Sequence, residues 1–212
     1  EARGYLLDWQ KEENIEQAIY AFQEAVKEDA GYAAAYAGLG EACWYKYDKN
    51  KADVSWVEKA KVNCQRALQL NDQLAPVHVT MGLIQKGTGH YDSARVEFQK
   101  ALDLEPMNET ALSGLASVYD AQGELAQAEA AYRNAIELKQ DYWGGYYHLG
   151  HFYYKHNRYK EAISQFEKTL ALTPENARAY NNLGAIYMQL EQWEKARQML
   201  QQSLQFELDA DT

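Results

Sequence analysis

Residues 143–176 read WGGYYHLGHFYYKHNRYKEAISQFEKTLALTPEN, and the spacing of their apolar side chains decides the fold. Tyr146, Leu149, Gly150 and Tyr153 form one stripe, and Tyr159, Ala162, Ile163, Phe166 and Leu170 form a second. Intervals of three and four place side chains on one face of an α-helix. The stretch therefore predicts two amphipathic helices joined near Asn157. Pro174 has no N–H with which to continue a helix, so it ends the second. Gly150 and Ala162 face each other in this scheme and leave room for the two backbones to approach, while Tyr146 and Phe166 fill the wider ends.

The same arrangement returns every 34 residues: Gly82, Ala116, Gly150 and Gly184 each follow Leu or Met, and Ala94, Ala128, Ala162 and Ala196 come twelve residues later. A fixed period of this length marks a stacked array, in which each unit buries its apolar face only against its neighbours. Six units result, at 1–32, 33–74, 75–108, 109–142, 143–176 and 177–210. The first keeps Ala18, Phe22 and Ala25 but has a clipped opening helix. In the second, Gly40 and Ala60 stand 20 positions apart instead of 12, an insertion of eight near residues 46–53 that should lengthen the first helix and add a charged loop. Ser55 with Glu58 is a capping-box pattern that predicts a second helix from Trp56. No Pro-rich or polar linker interrupts the chain, so residues 1–212 are expected to form a single domain.

The order aromatic, Leu-Gly, Tyr, Ala, Phe, Ala, Pro, as in Tyr146, Leu149-Gly150, Tyr153, Ala162, Phe166 and Pro174, resembles the tetratricopeptide repeat over nearly the whole chain. Departures are His78 for the first aromatic residue, Gln85 for the tyrosine, Ala116 for the glycine and Gln140 for the proline. The resemblance implies an all-α fold, a right-handed α-solenoid of antiparallel helix pairs whose concave face binds a peptide or protein. A narrower resemblance lies in Arg3-Gly4-Tyr5-Leu6, Asn14-Ile15-Glu16-Gln17-Ala18-Ile19, the run from Tyr36 to Ala42, and Asp141-Tyr142-Trp143. These look like the C-terminal repeat regions of some bacterial serine/threonine protein kinases and related signalling proteins. That would make the repeats a sensor or docking module beside an upstream catalytic domain.

Composition narrows the functions further. With 21 basic and 31 acidic residues the formal charge is -10, and no Lys/Arg run marks a nucleic-acid binder. Neutral or basic peptides are the favoured partners. No apolar stretch reaches the roughly 20 residues that span a bilayer, and Glu1 opens no signal-like segment. A soluble piece of a longer protein is expected, the cytoplasm being the favoured compartment. Cys43 and Cys64 occupy apolar slots about 10 Å apart along the helix axis, too far for a disulfide.

Catalytic patterns are missing from the sequence: no phosphate-binding glycine loop, no GxSxG elbow, no HExxH and no CxxC. No enzyme activity and no cofactor are assigned to this segment. His148 and His151 share one helix face, yet tyrosines and Lys155 surround them where further metal ligands would be needed, so no metal site is assigned. The Asn108-Glu109-Thr110 sequon matters only in a secreted eukaryotic protein.

The candidate binding residues are those of the first helices not used in packing. In the fifth unit they are Tyr147, His148, His151, Tyr154 and Lys155, and in the sixth Arg178, Asn181 and Asn182. Ser113 and Ser117 of the fourth unit give a small-residue floor, and Trp44 and Tyr45 form a second aromatic patch. Tyrosines at helical spacing also serve as packing between repeats, so both roles stay open for Tyr147 and Tyr154. Some tetratricopeptide proteins clamp a terminal carboxylate with Lys, Asn and Arg from successive helices; His148 and Ser113 stand where those would be wanted, so that mode is not expected. The competing functional surface is the terminal helix. There Met199, Leu200, Leu204, Phe206 and Leu208 form an apolar seam with no following repeat, suited to further helix or to a homodimer.

Overall fold

A computed structural model describes residues 2–6 and 11–210, the side chains of 207–210 excepted. The described residues form twelve α-helices and no strand. In chain order these are α1 (Ala2–Leu6), α2 (Glu12–Glu28), α3 (Ala33–Lys49), α4 (Ser55–Leu70), α5 (Ala75–Gly87) and α6 (Tyr91–Leu104). They continue as α7 (Glu109–Ala121), α8 (Leu125–Leu138), α9 (Trp143–Lys155), α10 (Tyr159–Leu172), α11 (Ala177–Gln189) and α12 (Trp193–Ala210). The architecture is an all-α solenoid of helix-turn-helix hairpins. Contacts divide the chain into two compact units, Glu1–Gln122 and Gly123–Thr212. The division falls inside residues 109–142, in the turn that follows α7.

In the first unit the hairpins α1/α2, α3/α4 and α5/α6 stack in sequence, and α7 packs on α6. Phe98 of α6 is fully buried at the centre of the third hairpin. Gly82 of α5 and Gly114 of α7 flank its ring so closely that a Cβ would come within 2.6 Å and 2.4 Å of it. The glycine of the repeat thus makes room for an aromatic ring from the second helix, where the spacing suggested direct approach of two backbones. Backbone approach does occur at Gly40, where a Cβ would meet the Ala60 carbonyl oxygen at 3.2 Å and Cys64 Sγ at 2.6 Å. Both cysteines are buried and free. Burial pushes the Cys43 thiol up to about 11 and the Cys64 thiol up to about 12, so neither is a ready nucleophile.

The insertion lengthens α3 to 17 residues, against 13 for α5, α7, α9 and α11. The added turn brings Lys46 between Glu12 and Glu16 of α2, at 2.6 Å and 2.8 Å. Helix α4 starts at Ser55 without the expected capping box: its N-cap is Val54, which offers no side-chain bond. Asp53 closes the end instead, its Oδ1 accepting from the Ser55 N–H at 2.9 Å. An Asp side chain reaches the amide two residues on and competes with the serine cap.

Four hairpin turns share one device. Gly89, Gly123, Asn157 and Glu191, each 34 residues after the last, all adopt the left-handed conformation, with φ of 82°, 79°, 57° and 59°. At Asn157 its own N–H donates to the Tyr154 carbonyl at 3.0 Å and the Arg158 N–H to the Tyr153 carbonyl at 2.8 Å, which closes the C-terminus of α9. Glycine takes this conformation without a Cβ penalty and Asn tolerates it, whereas Glu191 pays the full steric cost.

The second unit begins with α8, which packs on α9; the hairpins α9/α10 and α11/α12 follow. Phe166 of α10 takes the place that Phe98 has in α6, beside Gly150. Tyr153 of α9 is buried, with Oη donating to Glu129 Oε1 at 2.8 Å and accepting from Arg133 at 2.8 Å. Arg158 also binds Glu129 and lies 4.3 Å from the Tyr153 ring centroid. Burial opposes ionisation of Glu129, but the bonds from Tyr153, Arg133 and Arg158 outweigh it and hold the carboxyl at about 2.

Candidate functional site

Helices α9 and α11 present the aromatic and polar candidates within the second unit. Tyr147 is half-buried, its ring edge-on to Trp143, His148 and Phe166, with all three centroid distances at 5.8 Å. Its hydroxyl accepts a hydrogen bond from Asn182 Nδ2 at 3.2 Å, so α9 and α11 are joined at this point. Tyr154, one helical row further, is half-buried against Tyr159 at 6.2 Å. His148 is half-buried, whereas His151, Lys155, Arg178 and Asn181 are exposed. The arrangement is a shelf of half-buried rings with a polar margin, suited to apolar side chains and backbone amides.

The serine floor belongs to the first unit. Ser117 Oγ accepts from Lys86 Nζ at 3.1 Å and donates to the Gly114 carbonyl at 2.7 Å, while Ser113 donates to the Thr110 carbonyl at 3.3 Å. Burial pulls the Lys86 ammonium below its usual range, with Asp48 opposing the shift.

Trp44 is corrected from a surface patch to core. It is 4% exposed and fills the space left by Gly87, where a Cβ would lie 2.3 Å from its ring, and it packs on Tyr47 at 5.5 Å. Tyr45 stays half-buried, its hydroxyl donating to Glu41 Oε1 at 3.2 Å. Burial, then the Glu41 charge, raises that hydroxyl well above the tyrosine range. Glu41 holds the repeat position that Ser117 and His151 occupy among the candidates, but no acidic residue recurs at that position in Leu83, Ser117, His151 or Ala185 to mark it in the sequence.

The terminal seam is partly consumed by its own hairpin. Leu200 fills the space beside Gly184 and Phe206 stacks on Tyr180 at 5.6 Å, because α12 packs along α11. Met199 is half-buried and Leu204 is 59% exposed. The Leu208 side chain lies outside the described residues. Among the described residues, no group of three or more His, Cys, Asp or Glu side chains could hold a metal ion, and no helix is long and apolar enough to cross a membrane.

Comparisons with known proteins agree with the hairpin geometry. Tetratricopeptide-repeat families match residues 85–149 and 177–209, and a TPR-repeat family matches residues 150–191. No curated protein sequence matches the chain. Among solved structures the chain is similar to YrrB, described as a TPR protein with an unusual peptide-binding site, at 24% identity and a TM-score of 0.52 over 89% of this chain and 93% of that one. It is also similar to MamA from Desulfovibrio magneticus RS-1, at 18% identity and a TM-score of 0.61 over 85% and 97% of the two chains. Human IFIT1, solved as a dimer with m7Gppp-AAAA, superposes at a TM-score of 0.75 and 18% identity over 90% of this chain and 46% of that one. At these identities the likeness concerns the fold. The narrower resemblance to kinase-linked repeat regions gains no support from these matches. With its period, its hairpins and the matched families in agreement, the chain belongs to the tetratricopeptide-repeat family.

Proposed function

We propose that this protein binds a peptide or protein segment, and that the exposed face of α9 and α11 is one of its contact surfaces. The observation that carries the reading is the ring shelf of Tyr147 and Tyr154, half-buried on one face of α9 and tied to α11 through Asn182. Val79 and Lys86 hold the equivalent places in α5, so the hairpin does not itself require tyrosines there. Tyrosine rings of this kind offer apolar area together with a hydroxyl for a backbone amide. Burying each ring against a partner is worth about 1.5–3 kcal/mol, against an association cost of several kcal/mol. Two or three anchors sum to about 3–9 kcal/mol before that cost, so the expected affinity is micromolar or weaker, with polar contacts supplying the remainder.

Selecting a random-peptide display library on the purified chain, then titrating the enriched peptides, tests this reading. Tyr147→Ala with Tyr154→Ala should weaken binding at least tenfold while circular dichroism shows the helix content unchanged. Enriched peptides that bind the double variant as tightly as the wild type would refute the reading.

A second reading, self-association through α12, is favoured by the 59% exposure of Leu204 and the 63% exposure of Trp193. Leu170 and Tyr159, one period earlier, are only partly exposed. Sedimentation of the wild type beside Leu204→Glu would separate the two readings. A concentration-dependent dimer abolished by that change favours self-association, and a monomer at all concentrations removes it.

A further inference from the structure

The first unit holds a pocket of about 280 Å³ built from four successive first helices: Arg3 and Leu6 of α1, Glu41 of α3, Pro76 and Val79 of α5, and Thr110 of α7, with Asn108 at its edge. Small-molecule sites begin at about 300 Å³, so this volume suits one long side chain better than a cofactor. Its walls are divided by chemistry. Leu6, Pro76 and Val79 are apolar and would line a methylene stem, while Glu41 supplies a carboxylate. Asn108 is already committed: its side chain caps α7 by accepting from the Ala111 N–H at 3.0 Å and donates to Glu105 at 2.9 Å.

Glu41 has capacity to spare. Its Oε1 accepts a 3.2 Å bond from the Tyr45 hydroxyl, and a carboxylate offers about four acceptor sites in all. The Arg3 charge also acts on it and favours its ionised form. Burial pushes the Glu41 carboxyl above its ordinary range, and the Tyr45 bond and Arg3 only partly offset that. A desolvated carboxylate facing an apolar-walled pocket gains most from a cation delivered on a flexible apolar stem. The formal charge of -10 draws cationic segments toward the surface in the first place.

We propose that this pocket receives a lysine side chain of the bound segment, its ammonium meeting Glu41 and its methylenes lying against Leu6, Pro76 and Val79. The proposal extends the peptide-binding reading to the first unit and names the chemistry of one ligand residue. Its test does not depend on the tyrosine shelf. Titrating the full chain with N-acetyl-lysine methylamide and following the methyl resonances of Val79 and Thr110 should give a saturable shift. N-acetyl-norleucine methylamide, which has an apolar stem but no charge, should bind at least fivefold more weakly. E41Q should reduce the lysine probe to the norleucine level, with helix content and thermal midpoint as in the wild type. The Tyr147→Ala, Tyr154→Ala double variant should leave the curve unchanged, so loss of the aromatic surface and loss of this pocket are told apart. Equal binding of the two probes by the wild type, no shift with either, or an E41Q curve matching the wild type would each overturn the proposal. So would a shift that appears only in Arg3→Ala, because Arg3 would then be the pocket's own cation.

Discussion

Phe98 and Phe166 stand two periods apart, at the same place in α6 and α10, yet they support different surfaces. Within the first unit Phe98 is clasped by two glycines, Gly82 and Gly114, and the equivalent first-helix positions hold the buried Val79 and the half-buried Lys86. Within the second unit Phe166 has Gly150 on one side and the ring of Tyr147 at 5.8 Å on another, and the face shows Tyr147 and Tyr154. The hairpin needs the small residue and the ring that fills its space; it leaves the neighbouring positions of the first helix free. One scaffold can therefore carry an acid-floored pocket in one unit and an aromatic shelf in the other. Tyr147 is also part support, since it rests on the ring that organises its hairpin.

The largest effect should come from Phe98→Ala. Removing a fully buried ring costs about 3–5 kcal/mol, and two glycines without side chains cannot collapse into the space. Hydrogen exchange should quicken across α5, α6 and α7 while protection in the second unit holds. Phe166→Ala should instead loosen Tyr147 and weaken peptide capture along with stability. Equal, purely structural losses from both changes would break the contrast between the two rings.

Next in size is the cluster around Glu129, which the first unit lacks at its equivalent residue, Arg95. Tyr153→Phe leaves Glu129 and Arg133 without a shared partner and should cost about 1–2 kcal/mol by denaturant titration. The Glu129 carboxyl is held at about 2 in the folded chain against an ordinary 4.5. Because the folded value is the lower one, its stabilisation is complete above pH 4.5 and is lost as pH falls toward 2. Glu129→Gln should flatten that acid limb; an unchanged limb would remove the cluster from the account.

The turns give the smaller effects. Glu191→Gly should stabilise the second unit by about 1 kcal/mol, by relieving a left-handed non-glycine residue, whereas Asn157→Gly should gain only a few tenths of that. Thermal midpoints rank the two changes. If Asn157→Gly gained as much as Glu191→Gly, the side chain's tolerance of the conformation would not explain the difference.

Much of the fold can be read from the chain because its signals are local. The intervals of three and four, the recurrence of Gly82, Gly150 and Gly184, and the stop at Pro174 follow from helix geometry and need no knowledge of distant contacts. The same holds for the longer α3, since eight extra residues before Ser55 had to go into helix or loop. The candidate site was legible only as a face. Periodicity places Tyr147, Tyr154 and Asn182 outside the hairpin seams, but it equally placed Trp44 there. Packing between α3 and α5, through the gap at Gly87, draws that ring inward. The pocket around Glu41 and the bonds of Tyr153 to Glu129 and Arg133 are likewise products of stacking. Each joins residues at least 20 positions apart, whose approach depends on how neighbouring hairpins meet, and no spacing rule within one helix carries that information.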